Sequence, residues 1–131
     1  MIKDSIYKTV TIKYITDKEP LTLEIISSFM TLGKYRIAMF SERMFDVIGS
    51  GDLKDEIPDV YLIPMRPEDL KLKPLFIIGN YSPANPKHSN IVSVRYEFRQ
   101  KNKILAKPIE IDVNYAGIFH TNHVIKFVKA G

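Results

Sequence analysis

Hydrophobic and polar positions alternate strictly between Val92 and Arg99, with Val92, Val94, Tyr96 and Phe98 interleaved with Ser93, Arg95, Glu97 and Arg99. A period of two marks a strand with one buried and one wet face. After the polar break Lys101-Asn102-Lys103 the alternation returns, as Ile109, Ile111, Val113 and Tyr115 against Glu110, Asp112 and Asn114. The pair predicts an antiparallel hairpin.

The same pattern recurs upstream. Val10, Ile12 and Tyr14 alternate with Thr9, Thr11 and Lys13, which predicts a β-branched strand over 7–15. Leu21, Leu23 and Ile25 begin a second strand after Pro20. Tyr35, Ile37 and Met39 mark a third, expected to form a hairpin with the second through a glycine turn at 31–34. The stretch 41–48 is compatible with a short helix capped by Ser41, but strand or irregular structure is the expectation, ended by Gly49-Ser50-Gly51-Asp52. Short apolar runs at 59–63 and 75–78 predict two further strands, and Pro67 followed by two acids predicts one helical turn over 67–70. Residues 79–90 are dense in turn formers and read as the longest loop. The last strand is expected over 123–129, after a connection at 117–122.

All eight prolines fall at the edges of these segments or between them, never inside one, which supports the segmentation. The expected fold is therefore all-β: a single antiparallel β-sandwich of about seven or eight strands over 1–131, with at most one or two short helical turns. A small OB-like or other Greek-key barrel is the alternative.

Composition narrows the function classes. A chain of 131 residues, 45% hydrophobic and 26% charged, has the ordinary make-up of one globular domain. Without cysteine there is no disulfide, thiolate nucleophile or cysteine-ligated metal, though compartment stays open. The N-terminal residues lack an uninterrupted apolar core of the signal-peptide kind, and no run reaches the length of a membrane span; cytoplasmic is the default expectation. The net charge of +4 is unevenly spread: residues 71–107 hold eight lysines and arginines against Glu97 alone, a surplus of seven.

That surplus makes the 95–107 hairpin the leading candidate for chemistry. Arg95, Arg99, Lys101 and Lys103, with His88 and Tyr81 from the 79–90 loop, form the candidate binding set for a glycan or other anionic polymer. The competing reading is a charged edge that keeps sheets from joining. Nucleic acid is disfavoured, because parity sends Tyr96 and Phe98 to the core and leaves Tyr81 as the one stacking ring. His120 and His123 are the weak metal candidates, with Asp112 or His88 as a third ligand. At i and i+3 of a strand, however, they face opposite ways. No metal or other cofactor is expected. Asp52, Asp55, Glu56 and Asp59 do not follow a calcium-loop order, and Gly49-Ser50-Gly51 lacks the lysine and helix of a phosphate loop. No nucleophile elbow or zinc-protease signature is present. The expected function is thus a non-catalytic protein–protein interaction or assembly module, pairing with a protein partner or with itself through an edge strand at 7–15 or 123–129. The anionic-polymer module is the alternative, and a small hydrolase or metal-dependent enzyme using His120 and His123 is third.

Overall fold

The computed structural model describes residues 4–28, 30–41, 44–53, 57–71 and 73–131. Among them the strands β1 (Ser5–Tyr14), β2 (Thr22–Ser27), β3 (Thr31–Ser41), β4 (Met44–Leu53) and β5 (Asp59–Leu62) precede a single turn of helix, α1 (Pro67–Leu70). The strands β6 (Leu75–Pro83), β7 (Ile91–Gln100), β8 (Lys103–Ile104), β9 (Ile109–Asn114) and β10 (Phe119–Lys129) follow. Sheet I has the order β1-β10-β6-β3-β4. In sheet II the order is β5-β2-β7, and β8 and β9 both pair with the far edge of β7. The fold is an all-β sandwich; β1 runs parallel to β10, the other pairings are antiparallel, and neither sheet closes into a barrel.

The expected parity holds. Val92, Val94, Tyr96 and Phe98 are buried against Ile12, Leu23, Ile25, Ile77 and Phe127 from both sheets. The β7 hairpin turns at Lys101 and Asn102, whose φ values of 54° and 62° give the two-residue turn that matches strand twist. The inward alternation also runs one residue further than the hydrophobic pattern shows, to Gln100, which is 1% exposed. Its carboxamide accepts from the amides of Ile15 and Thr16 and donates to the carbonyls of Thr16 and Glu19, so it ties down the β1–β2 connection.

Several expectations are corrected. β2 and β3 do not form a hairpin: β2 pairs with β5 and β7 in sheet II, whereas β3 pairs with β4 and β6 in sheet I. The segment at 44–48 is strand, as expected, but Gly49-Ser50-Gly51 does not end it; β4 continues to Leu53. Glycine 33 likewise lies inside β3, and residues 79–83, expected in a loop, belong to β6. None of the described glycines has a positive φ. These glycines make room for rings: a Cβ on Gly49 would sit 2.6 Å from the Tyr61 ring and one on Gly51 2.5 Å from the Tyr35 hydroxyl, while Gly33 and Gly79 both give way to Tyr81. Close approach, which a sequence does not reveal, outweighed the turn propensity. Finally, β10 starts at Phe119, and it lies between β1 and β6 rather than at an edge. β1 pairs along one side of β10 through Lys129 and β6 along the other side through Ile125, so β10 is an interior strand of sheet I.

Candidate docking surface

Tyr81, expected as a loop ring available for stacking, is fully buried in β6. Its hydroxyl is 2.6 Å from that of Tyr96, and burial pushes Tyr96 up to about 12 and Tyr81 well above the usual phenol value. Burial removes Tyr81 from any surface site. His88 is exposed in the 84–90 connection and its backbone amide donates to Asn85.

The basic hairpin is more nearly neutral in three dimensions than along the chain. Arg95 Nε lies 3.1 Å from Glu97, and Arg99 reaches Glu97 at 3.1 Å and Glu24 at 3.8 Å. Glu97 is on the outward parity yet 5% exposed, because the two guanidiniums cover it from either side. Register adds Glu110 and Asp112 from β9 opposite Arg95 and Ser93. The outward face of sheet II thus gathers four carboxylates around Arg95 and Arg99. Lys101 and Lys103 are exposed at the turn, beyond this network.

The histidines separate as strand geometry requires. His120 is outward, with Nδ1 at 2.5 Å from Asn80 Oδ1, while His123 is buried and edge-on to Tyr96 at 5.5 Å. Among the described residues no three histidines and carboxylates gather at metal-binding distance. Of the acidic cluster, Asp55 and Glu56 lie outside the described residues, and Asp59 accepts a 2.6 Å hydrogen bond from Tyr35. With its own proton on Asp59, the Tyr35 hydroxyl accepts from that of Tyr61, whose oxygen also lies 3.2 Å from Ser50 O, so this group fastens β5 to β3 and β4. Burial, with those two hydrogen bonds, pushes Tyr35 far above the usual phenol value. It is a latch between sheets, with its phenol held protonated.

The outward face of sheet I was not anticipated. Register aligns Val124, Phe76, Ala38 and Val47 in one cross-strand row over four strands with outward parity, of which Val47 is exposed, Phe76 half-buried, and Val124 and Ala38 buried. The adjacent row contributes Tyr7, Ile78 and Arg36. Tyr7, Val47 and Ile78 are 72%, 54% and 40% exposed, and Leu32 and Ile118 near one end are also exposed. Two depressions of about 590 and 380 Å³ share Lys34, Asp52 and Asn80 and run along this end of the sheet. Lys13, Lys34, Arg36 and Lys126 have outward parity here, against Asp52 among the described residues. Outward apolar residues in strands are individually uninformative; their alignment into a row, which needs the sheet order, was invisible in the sequence.

Comparison with known protein families, curated proteins and solved structures finds no match to this chain.

Proposed function

We propose that this chain is a non-catalytic binding module that docks a protein partner on the outward face of sheet I. The observation that carries the reading is the different finish of the two outward faces. At the centre of sheet II the charges of Arg95, Arg99 and their glutamates neutralise one another, and its exposed Val60, Leu62, Ile91 and Ile104 sit on the short edge strands or at a strand end, while sheet I exposes Tyr7, Val47 and Ile78 beside two shallow grooves among four cations. Apolar centres ringed by polar groups are the usual make-up of interfaces. The face is also large enough: five strands about 4.8 Å apart and about ten residues long cover roughly 800 Å², the share each partner contributes to a standard interface. The cations select a partner whose own apolar patch is rimmed by carboxylates. The anionic-polymer alternative loses support from the pairing of Arg95 and Arg99 with glutamates and from the burial of Tyr81.

The test is mapped capture from native extract. The wild type should retain a partner that Ile78→Asp and Arg36→Glu each lose, whereas Leu62→Asp on sheet II keeps it. Retention should weaken as salt rises. Capture insensitive to both sheet I variants, or no capture at all, would overturn the reading.

A further inference from the structure

The sandwich is open on one side. Among the described strands β1 pairs with β10 alone and β9 with β7 alone, so the outer edge of each sheet presents backbone groups without a strand neighbour. These two edges bound one cleft of about 440 Å³, walled by Ile6 and Val10 of β1 and by Pro108 and Ile109 at the start of β9. His123 also lines it. That side chain is 2% exposed, and its Nδ1 is buried with no hydrogen-bond partner. A buried polar atom left unpaired is costly, and native structures seldom tolerate one without a use. Lys8, the register partner of His123, has the inward parity of Val10 and Ile12, and it lines the cleft with Lys107 and one acid, Glu110.

We propose that this cleft receives an extended peptide segment bearing an acidic side chain, which adds to the edge of β1 and sets its carboxylate against Lys8. An extended chain is the occupant that supplies backbone donors and acceptors to strand edges, and side chains on alternate positions then meet the apolar wall. An inward lysine on an edge strand blocks indiscriminate pairing. The same charge discriminates in favour of a segment that brings a carboxylate to it. A second copy of this chain is a poor occupant, because an antiparallel pairing of two β1 edges about the cleft brings Lys8 against Lys8. The site is separate from the outward face of sheet I, so it stands or falls independently of that docking surface.

The probe is a peptide of about seven residues, long enough to span the β1 residues that line the cleft at about 3.3 Å per residue. It alternates valine and threonine with a central glutamate; a second peptide has lysine at that position. Titration into isotope-labelled protein should shift amide resonances of residues 6–11 and 107–110 and the imidazole of His123. The glutamate peptide should bind at least about tenfold more tightly than the lysine peptide, and Lys8→Glu, which is exposed and leaves the fold intact by circular dichroism, should reverse that order. Absence of shifts at millimolar peptide, equal binding of both peptides, or dimerisation of the protein through β1 would each overturn the proposal.

Discussion

At the scale of single residues, the core keeps several polar groups. Gln100, Thr121, His123 and the hydroxyls of Tyr81 and Tyr96 are all buried, and the first two are hydrogen-bonded to backbone carbonyls, the tyrosines to each other. His123, like the Tyr14 hydroxyl, keeps a buried polar atom without a hydrogen-bond partner, and it gives the fold a pH dependence. Burial, aided by nearby Lys8, holds its imidazole below the ordinary value of 6.5. Above that value folded and unfolded chains both keep it neutral and stability is complete. As pH falls below 6.5 the unfolded chain takes up the proton first, so stability declines until the folded imidazole also titrates. Thermal unfolding should accordingly come at lower temperature at pH 5 than at pH 7.5, and His123→Met should remove much of the difference. An equal difference in the variant would show that other groups cause it. The Asp17–Lys129 pair, whose carboxyl is lowered chiefly by its hydrogen bond to Lys129, loses its contribution only at more acidic pH.

At the scale of elements, the β7–β9 hairpin was legible because its two strands alternate cleanly and are joined by residues that tolerate a left-handed turn. Its turn is nevertheless imperfect. Lys101 at φ 54° bears a conformational cost that asparagine bears less and glycine avoids, and the favoured pair for such a turn is asparagine followed by glycine. The double change Lys101→Asn and Asn102→Gly should raise stability by about 1 kcal/mol in denaturant unfolding. No gain would mean that the hairpin relaxes to another turn in solution. The elements misread were those where a long-range neighbour decided the local structure. Gly33, Gly49, Gly51 and Gly79 mimic turn signals, yet each lies in a strand beside a tyrosine ring that no local pattern could place there. Tyr81 was misassigned with them, since a strand that includes Gly79 extends β6 through it. The candidate site was less legible than the fold: charge counted along the chain overstated the hairpin's surplus, because Glu24, Glu110 and Asp112 come from other strands.

At the scale of the whole molecule, the path of the chain ties the two sheets into one unit. Strands enter the sheets in the order I, II, I, I, II, I, then three in II, and finally β10 back in the middle of sheet I between β1 and β6. Neither sheet is a contiguous piece of sequence, so neither can form its face before distant segments meet. The crossing of β2 to sheet II and β3 to sheet I, which defeated the expected hairpin, is one instance of that rule. Pairing β1 with β10 spans almost the full chain, and loop closure of that length costs entropy that only the finished sandwich repays. Folding should therefore be slow for the size, in milliseconds to seconds, and cooperative. Near-ultraviolet circular dichroism, reporting the packed tyrosines, and far-ultraviolet circular dichroism, reporting the strands, should give coincident denaturant transitions. Separated transitions would show that one sheet outlives the other. That result would contradict the interleaving, because melting sheet I removes β3 and β6 from the core that sheet II's inward residues, Leu23, Ile25 and Tyr96 among them, need for their burial.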